Sequence, residues 1–179
     1  MIILALGSNM AGNWGCPAKT LARAKDFLQS SSVCTMVAQS SCYITAGVGP
    51  GRPNDFANSV VLVETQLSPE ALLRFLKQAE RTAGSRSAMQ WGPRSLDLDI
   101  VDCRGLVMGW SRNMQHTLRL QRTGRLTLPH PMAHVRTFVL EPLMEIAPEW
   151  RHPVFKRTAR QLLQRTAATP AGSVLERLD

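Results

Sequence analysis

The sequence predicts an α+β fold, in which helices pack against an antiparallel sheet. Two stretches carry apolar residues at the spacing of amphipathic helices, and several short runs are continuously apolar or alternate between apolar and polar residues, as strands do. With 179 residues, 44% of them hydrophobic, the chain is long enough to bury one substantial core. We therefore expect a single domain over residues 1–166 and a loosely held tail over residues 167–179.

The first strand and the first helix follow from the N-terminal residues. The run from Ile2 to Leu6 is entirely apolar, which indicates a buried strand, and the sequence Gly-Ser-Asn at 7–9 indicates a turn after it. Pro17 suits the first position of a helix, because its missing N–H group is not needed there. This helix would end near residues 30–32 and bury Leu21, Ala24 and Leu28 on one face.

Two further strands and a second helix are predicted in the next part of the chain. Residues 33–43 are rich in β-branched and small residues and residues 59–63 are apolar, so each predicts a strand, with a Gly/Pro-rich loop between them. Ser68, Pro69 and Glu70 supply an N-cap, a first-turn proline and an acid that complements the helix dipole. The helix that starts there should end at Gly84.

A fourth strand completes the pattern. Residues 96–101 alternate, with leucine and isoleucine on one face and Asp97 and Asp99 on the other. The order strand, helix, strand, strand, helix, strand is that of the ferredoxin-like (βαββαβ) fold, whose antiparallel sheet carries its helices on one face. Beyond it we expect an extended basic loop or hairpin over 104–123, a buried segment over 136–146 and a short closing helix over 158–166.

The charge of the chain points to an anionic partner without identifying it. The formal net charge is +8, and most of the basic residues are arginines, which suit bidentate contacts with phosphate groups. The arginines are dispersed along the chain, and only 6% of residues are aromatic, so that stacking platforms for single-stranded nucleic acid are scarce. Either a nucleotide or a nucleic acid is compatible with this charge.

The location of the protein and its cysteines follow from composition. No stretch approaches the roughly 20 apolar residues that span a bilayer, and the first residues lack the basic flank of a secretory signal, so we expect a cytoplasmic protein. The four cysteines are scattered without the paired spacing of a zinc site or a disulfide framework. We expect them to behave as small buried hydrophobes.

The strongest chemical signal is the pair Asp97 and Asp99. Residues two apart on a strand point to the same side, with Cα atoms about 6.6 Å apart. Two like charges side by side need a cation or a basic group to compensate them, and hard oxygen ligands suit magnesium that bridges substrate phosphates. An isolated Asp-x-Asp is more often simply exposed to water, but here Trp91 and Arg94 lie directly before it and add an aromatic face and a guanidinium group.

The segment from Trp91 to Ile100 resembles the signature of the 6-hydroxymethyl-7,8-dihydropterin pyrophosphokinases, the family abbreviated HPPK. Further segments follow in the same order, over roughly residues 1–148. They are 7–9 after the first strand, 43–50, 56–58, residue 80, 126–131 and 136–138. The resemblance implies a magnesium-dependent transferase of folate biosynthesis, a kinase that moves pyrophosphate from ATP to the hydroxymethyl group of the dihydropterin.

The resemblance also implies which residues form the site. Two magnesium ions would bind with ATP at Asp97 and Asp99. The implied ATP contacts are Glu80, Arg86, Trp91, Arg94, Ile100, Arg125, Leu126, Thr127, His130 and Arg136. The implied pterin contacts are Thr45, Val48, Phe56, Asn58, Trp91 and Phe138, where aromatic faces would stack on a flat heterocycle and amides would meet its polar edge. Arg94, His130 and Arg136 would join the two aspartates in catalysis.

The implied reaction is a displacement at the β-phosphorus of ATP, driven mainly by positioning and by neutralisation of phosphate charge. No histidine or lysine stands out as a general base, and His130 would stabilise charge. Residues 47–53 and 84–90 resemble mobile loops of the family that close over the substrates. The second of these loops carries only one arginine before the signature, and the stretch 104–123 is longer than the family's usual hairpin.

Two alternatives remain open from the sequence alone. A ferredoxin-like nucleic-acid-binding module would fit the fold and the charge, but Asp97 and Asp99 would repel a phosphate backbone in the absence of metal. A relative that keeps the pocket but has lost catalysis would fit as well, although the intact acidic pair and Arg94 argue against it. We expect a monomer with no membrane or nucleic-acid partner.

Overall fold

The computed structural model describes residues 1–47, 54–84, 93–166 and 174–178. The strands in this part of the chain are β1 (Ile2–Ser8), β2 (Thr35–Gln39), β3 (Cys42–Thr45), β4 (Phe56–Glu64), β5 (Asp97–Cys103) and β6 (Val174–Leu178). The helices are α1 (Pro17–Gln29), α2 (Pro69–Ala83), α3 (Met114–Arg122), α4 (Thr137–Ile146) and α5 (Ala159–Thr166), and a short 3₁₀ turn covers Ala133–Val135.

The described strands form one antiparallel sheet. Its order is β5-β1-β4-β3-β6, and β2 also pairs with β4 beside β3. The central strand β1 therefore has β4 on one side and β5 on the other. The chain is an α+β protein, as the pattern of strands and helices predicts.

Both predicted N-terminal helices form. Helix α1 begins at Pro17 and buries Leu21, Ala24 and Leu28, as predicted. Helix α2 begins after Ser68, whose Oγ accepts a hydrogen bond from the N–H group of Ala71 at 3.2 Å. The predicted closing helix is α5, and the buried segment over 136–146 contains α4.

Helices cover both faces of the sheet, so the prediction of one covered face is wrong. On the first face, α1 and α2 pack on Ile2, Leu4 and Leu6 of β1. On the second face, α4 and α5 pack on Ile3 of β1 and on Val60 and other residues of β4. The second layer comes from the part of the chain that follows the βαββαβ pattern, which the pattern itself does not include.

The single strand predicted over residues 33–43 is divided into β2 and β3. The break lies at Ser40, whose buried hydroxyl accepts a hydrogen bond from the N–H group of Val60 at 2.9 Å and contacts Ser59 Oγ at 3.0 Å. A side chain thus takes the place of a backbone acceptor of the ladder. Both strands still pair with β4.

Two elements lie where none was expected. Helix α3 falls within residues 104–123, which we expected to be an extended loop or hairpin. Strand β6 falls within residues 167–179, expected to be a loose tail, and pairs with β3. Its Arg177 is held by Ser41 Oγ at 3.1 Å and by Glu145 Oε1 at 3.3 Å.

All four cysteines are free. Cys34 and Cys103 are buried and Cys42 is half-buried, but Cys16 is exposed, so the expectation of burial is wrong for that residue. In the described residues, no helix is both long enough and apolar enough to cross a bilayer.

Candidate active site

The candidate site lies on the second face of the sheet, next to the first residues of α4. Register places Gly7 of β1 between Asp97 of β5 and Asn58 of β4. Thr45 of β3 lies opposite Phe56 of β4. A Cβ atom at Gly7 would lie 3.3 Å from Asn58 Oδ1, so a larger residue there would crowd this amide. The predicted residues thus reach one surface from four adjacent strands.

One cavity at this surface is aromatic and amide-lined. Its lining includes Thr45, Phe56, Asn58 and Phe138. Thr45 and Asn58 are buried, and Asn58 Nδ2 donates a hydrogen bond to Thr45 Oγ1 at 2.8 Å. This bond holds the plane of the Asn58 amide beside Thr45, so one end of the amide is used and the other stays available. The cavity therefore offers flat apolar faces beside an oriented amide, which suits a planar heterocycle with a polar edge.

A second cavity is basic. It is lined by Leu73, Lys77, Arg94, Asp97, Asp99, Ile100, Gln121, Gly124, Arg125, Leu126, Thr127, His130 and Arg136. Three arginines, a lysine and a histidine thus converge on one space. Such a concentration of positive groups and hydrogen-bond donors suits the phosphates of a nucleotide.

The two cavities meet at four residues that line both of them: Arg94, Asp97, Asp99 and Arg136. Each carboxylate here faces a guanidinium group. Arg94 Nη1 lies 2.6 Å from Asp97 Oδ2, and Arg136 Nη1 lies 3.3 Å from Asp99 Oδ2. Asp97 and Asp99 lie two residues apart on the same side of β5 and would repel each other, and the arginines compensate their charges.

The charges of Asp99 and His130 are set by this environment. Burial alone would raise the pKa of Asp99, but the neighbouring His130, Arg136, Lys77 and Arg94 lower that pKa to about 2. Burial lowers the pKa of His130 to about 4, against the attraction of Asp99. At neutral pH the histidine is therefore uncharged, the carboxylate is ionised, and the arginines supply the positive charge.

The turn after β1 holds the segment that carries Arg94. The N–H group of Asn9 donates to the Arg94 carbonyl at 3.2 Å, and Asn9 Oδ1 accepts from the Arg94 N–H group at 2.9 Å. Ser8 Oγ donates to the carbonyl of Ser95 at 2.6 Å. The Gly-Ser-Asn segment thus acts as a clasp on the residues just before Asp97. The prediction of a turn over residues 7–9 is wrong for Gly7 and Ser8, which are the last residues of β1 and pair with β4.

Glu80 has a structural position in this arrangement. Its Oε1 accepts from the N–H group of Leu98 at 2.7 Å and pairs with Lys77 Nζ at 2.6 Å. Burial raises the pKa of Glu80, and Lys77 and Leu98 act against that rise. Glu80 is not among the described residues that line either cavity. It ties α2 to the strand between Asp97 and Asp99.

The donor set fits magnesium bound together with phosphates. No group of three or more histidine, cysteine, aspartate or glutamate side chains comes together in the described parts of the chain. Asp97 and Asp99 offer only two carboxylates, both at the junction of the cavities. Magnesium is commonly held by one or two protein carboxylates plus substrate phosphate oxygens and water, whereas a metal held by protein alone needs more ligands.

Most of the predicted site residues come together. Thr45, Phe56, Asn58 and Phe138 line the aromatic cavity, and Ile100, Arg125, Leu126, Thr127 and His130 line the basic one. Val48, Arg86 and Trp91 lie outside the described residues, as do most of the two loops expected to close over the substrates.

Three residues at the site were not singled out from the sequence: Asn9 as the clasp on Arg94, and Lys77 and Gln121 as lining of the basic cavity. A helical wheel of α2 places Lys77 near Glu80, three residues away, so this pairing had a sequence signal. Gln121 had none, because α3 was not predicted.

Solved structures share this fold. The chain superposes on wild-type Plasmodium falciparum HPPK-DHPS with a TM-score of 0.66 at 13% identity, over 97% of this chain and 50% of that one. A structure of HPPK-DHPS in complex with substrates gives a TM-score of 0.66 at 14% identity, over 97% and 48%. The chain thus spans about half the length of these solved chains, and identities this low establish the fold alone.

Curated relatives are closer in sequence. Three proteins named 2-amino-4-hydroxy-6-hydroxymethyldihydropteridine pyrophosphokinase match most of the chain. The one from Pseudomonas aeruginosa is 35% identical over 169 residues, which are 94% of this chain and 91% of that protein. The one from Aquifex aeolicus is 27% identical over 175 residues, 98% of each chain. The one from Synechocystis is 37% identical over 140 residues, 76% of this chain and 65% of that protein.

The family model supports the same assignment. Residues 3–148, which include both cavities and the acidic pair at their junction, match the model described as 7,8-dihydro-6-hydroxymethylpterin-pyrophosphokinase (HPPK). This range covers most of the 179 residues and contains every residue of the candidate site discussed above. The chain therefore belongs to the HPPK family.

Proposed function

We propose that this protein transfers the pyrophosphoryl group of ATP to the hydroxymethyl group of 6-hydroxymethyl-7,8-dihydropterin at the junction of its two cavities. The observation that carries the proposal is that Arg94, Asp97, Asp99 and Arg136 line both cavities. A group bound in one cavity can therefore meet a group bound in the other beside two carboxylates and two guanidinium groups. The activity is the pyrophosphokinase step of folate synthesis that the names of the family and of the curated relatives describe.

The aromatic cavity would hold the pterin. Phe56 and Phe138 provide apolar faces, and Asn58 provides an amide whose plane is held beside Thr45. Phe138 also carries the guanidinium group of Arg136 at 5.5 Å from its ring centre, which links this wall to the reaction centre. By the family resemblance, Val48 and Trp91 would complete this site.

The basic cavity would hold the nucleotide. Arg125, His130 and Arg136 would address phosphate oxygens, and Ile100, Leu126 and Thr127 would line the rest of the site. By the family resemblance, Arg86, Trp91 and Glu80 would also contact ATP. The carboxylate of Glu80 is bonded to Lys77 and Leu98 and lines neither cavity, so we propose that Glu80 acts on the nucleotide through Lys77, which lines the basic cavity. Asp97 and Asp99 would hold two magnesium ions together with the phosphates, and the metal would supply neutralisation of charge and activation of the hydroxyl group.

The proposed reaction is a single displacement at the β-phosphorus of ATP. A bond forms between the pterin hydroxymethyl oxygen and the β-phosphorus of ATP, the bond from that phosphorus to the α,β-bridging oxygen breaks, and AMP leaves with that oxygen. The hydroxyl proton of the attacking oxygen passes to water, since no described side chain is assigned as a general base. Arg94 and Arg136 lie where negative charge builds up, and such preorganised positive groups are the main source of rate in phosphoryl transfer.

His130 would donate a hydrogen bond to phosphate in its neutral form. Its pKa, lowered to about 4 by burial, leaves the ring uncharged at neutral pH. A neutral imidazole still carries one N–H donor. We therefore assign His130 to charge stabilisation and Arg94 and Arg136 to charge neutralisation.

The topology, the domain organisation and the cellular location of the enzyme are further parts of the proposal. We propose that the sheet has ferredoxin-like topology, supported by the order β5-β1-β4 followed by β2 and β3, which is the 4-1-3-2 order of the four predicted strands. We further propose that residues 1–166 act as one catalytic domain, since both core clusters share the same sheet. The enzyme would work in the cytoplasm as a monomer, with ATP and the pterin as its substrates and no nucleic-acid partner.

Release of AMP tests the function directly. ATP and magnesium are supplied with and without 6-hydroxymethyl-7,8-dihydropterin, and AMP is measured for the wild type, for Asp97→Ala and for Asp26→Ala. We expect pterin-dependent AMP from the wild type and a loss of at least about 100-fold in Asp97→Ala. Asp26→Ala, which removes an exposed carboxylate on α1, should match the wild type.

Other outcomes separate the alternatives. A folded wild type that binds ATP but releases no AMP would overturn the proposal and favour a non-catalytic relative. AMP that forms equally without the pterin would point to simple hydrolysis of ATP. Full activity in Asp97→Ala would remove the acidic pair from the mechanism.

A further inference from the structure

Helix α3 brings one side chain into the basic cavity. The amide nitrogen of Gln121, Nε2, lies 3.0 Å from His130 Nε2, and both residues line that cavity. His130 is buried, with 7% of its surface exposed. The next possible partner of Nε2, Asp99 Oδ2, lies 3.7 Å away, beyond hydrogen-bond distance. Gln121 is therefore the closest described partner of this ring nitrogen.

The protonation of the His130 ring can be read from its other nitrogen. The N–H group of Met132 donates to His130 Nδ1 at 3.1 Å, so Nδ1 acts as an acceptor and carries no proton. The single ring proton must then lie on Nε2. With Nε2 of Gln121 facing it, this ring N–H group would meet a second donor. The two ends of such an amide are assigned from their hydrogen bonds, so we turn the Gln121 amide by 180° and assign its oxygen as the acceptor of the ring proton.

The position of Gln121 is fixed by the segment that carries it. Trp110 Nε1 donates to the carbonyl of Pro129 at 2.8 Å, directly before His130. Asn113 caps the start of α3 by accepting from the N–H group of Gln115 at 2.9 Å. The backbones of Met108 and Leu128 also form an isolated β-bridge. Residues 108–122 are therefore tied to the His130 segment at several points, and the Gln121 contact is part of that arrangement.

We propose that Gln121 is a positioning residue for His130. It accepts a hydrogen bond from the Nε2–H group and keeps that group directed toward the basic cavity, until a phosphate oxygen replaces Gln121 as the acceptor. This proposal rests on the function proposed above, because it needs a nucleotide in that cavity. Without Gln121, the buried ring would lose the acceptor of its only proton and could turn toward Asp99. A turned ring would then offer its donor less well to a phosphate.

The first test observes the ring without any substrate. Long-range ¹H–¹⁵N spectra of the nucleotide-free protein report which nitrogen of His130 is protonated and how fast that proton exchanges with water. We expect a protonated Nε2 in the wild type. Its proton should exchange about 2- to 12-fold faster in Gln121→Ala, the factor that corresponds to one neutral hydrogen bond. Gln121→Glu, which keeps an acceptor, should restore slow exchange, and Gln115→Ala, an exposed change on the same helix, should have no effect.

The second test asks whether Gln121 acts through His130. Binding of a non-hydrolysable magnesium-ATP analogue is measured by calorimetry for Gln121→Ala, for His130→Ala and for the double variant. With His130 present, we expect Gln121→Ala to weaken binding of the analogue about 2- to 12-fold. In the His130→Ala background, it should have almost no further effect. An equal loss in both backgrounds would overturn the positioning role, since Gln121 would then act independently of His130.

The two proposals fail in different ways. Nδ1 protonation in the wild type, or unchanged exchange in Gln121→Ala, would overturn the role of Gln121 even if pterin-dependent AMP forms normally. Normal binding of the analogue, together with no pterin-dependent AMP release from ATP itself, would overturn the proposed reaction, and the double-variant comparison would still decide the role of Gln121. A wild type that binds no nucleotide would overturn both.

Discussion

Asn9 shows how a single buried residue can position a side chain of the candidate site without lining either cavity. It is 2% exposed, and it both donates to and accepts from the backbone of Arg94. Arg94 in turn reaches Asp97 at 2.6 Å. Two hydrogen bonds from Asn9 thus fix the backbone of Arg94. The position of the backbone determines where the side chain starts, and so whether the guanidinium group can reach the Asp97 carboxylate.

Replacement of this clasp gives the first prediction. Asn9→Ala leaves the N–H group of Arg94 without its side-chain acceptor in a buried place, which costs about 1–3 kcal/mol of unfolding free energy. We expect kcat/KM for pterin-dependent AMP release to fall as well, because Arg94 loses its fixed position. Urea unfolding and the AMP assay measure the two effects. The control is Asn13→Ala, which removes a similar amide bonded to the carbonyl of Thr82 at an exposed position and should change both quantities little. Equal effects of the two variants would contradict the clasp.

The residues of the site differ in how far the sequence could reveal them. Asp97 and Asp99 follow from strand alternation, since their neighbours Leu96, Leu98 and Ile100 all face the first core cluster. The role of Asn9 depends on a hydrogen bond across 85 positions of sequence, which periodicity cannot indicate. Local pattern thus predicted which side chains share a face, but not which backbone group holds them.

At the scale of elements, α2 and β5 are joined by one carboxylate. Glu80 Oε1 accepts from the N–H group of Leu98 and from Lys77 Nζ. Strand β5 is the edge strand of the described sheet beside β1, so this N–H group lies where no further strand follows. Glu80 therefore supplies the hydrogen-bond acceptor that a neighbouring strand would otherwise supply, at the point between Asp97 and Asp99.

This tie gives the second prediction. Glu80→Ala removes both contacts and should lower the unfolding free energy by about 1–3 kcal/mol and speed hydrogen exchange at Leu98. Glu80→Gln keeps an acceptor for Leu98 and should retain most of the protection, although it loses the charge opposite Lys77. Hydrogen exchange followed by mass spectrometry or NMR measures this. Gln78→Ala, an exposed change on the same helix, is the control, and slow exchange at Leu98 in Glu80→Ala would rule out the tie.

Strand β6 closes the opposite side of the described sheet. Glu145 of α4 accepts hydrogen bonds from Ser41 and from the hydroxyl group of Tyr43 at 3.0 Å, and it pairs with Arg177 of β6 at 3.3 Å. The start of β6 lies beside Thr45, whose partner in register is Val174. The C-terminal strand thus supports the strand that carries one wall of the aromatic cavity.

Removal of residues 167–179 gives the third prediction. Strand β3 becomes an edge, so its amides should exchange faster and Thr45 should be held less firmly beside Asn58. We expect the KM for the pterin to rise while the KM for ATP stays nearly constant, because the basic cavity contains no residue of β3. Steady-state kinetics in each substrate measures the split. Glu145→Ala removes the contacts of Glu145 with Ser41, Tyr43 and Arg177 but keeps the strand, so it should give a smaller effect of the same kind. An equal rise in both KM values would contradict this account.

Helices α1 and α2 and strands β1, β4 and β5 follow from local signals, whereas α3 and β6 do not. Helix α3 is only nine residues long, and the face that it turns inward mixes half-buried Met114 and Leu118 with the polar Thr117 and Gln121, so its apolar pattern is too short and too interrupted to reveal it. Strand β6 is short and mostly exposed, and it exists because β3 offers it an edge. Both elements depend on partners that are distant in sequence.

At the scale of the whole molecule, one sheet separates two cores. The unbroken apolar run of β1 contributes Ile2, Leu4 and Leu6 to one core and Ile3 to the other. A strand that is apolar on both sides is typical of a sheet covered on both faces. The signal for the second layer was therefore present in β1, but its helices lie beyond the βαββαβ pattern, and order alone did not assign them to a face.

The second layer is also held by an aromatic cluster centred on His152. This residue is fully buried, and its ring lies 5.7 Å from that of Trp110, 5.6 Å from that of Trp150 and 4.7 Å from that of Phe155. Its Nδ1 accepts from the N–H groups of Val154 and Phe155 at 3.2 and 3.3 Å, so the ring is neutral with its proton on Nε2. Segments far apart in sequence thus pack around one titratable group.

Acid should therefore weaken the whole fold through His152. Burial, and after it the nearby His134, lower the pKa of His152 to about 4 from its ordinary 6.5. Between these values the unfolded chain binds a proton that the folded chain does not, so stability is fully present above about pH 6.5 and is lost as pH falls toward 4, by at most about 3 kcal/mol. Urea unfolding at pH 7.5, 6 and 5 measures this slope. His152→Phe should reduce this slope and leave the part that comes from His130, whose pKa is also lowered to about 4. It should also lower stability at pH 7.5, because two N–H groups lose their acceptor. The exposed change His116→Ala should leave the slope as it is, and an unchanged slope in His152→Phe would assign the acid sensitivity to other groups.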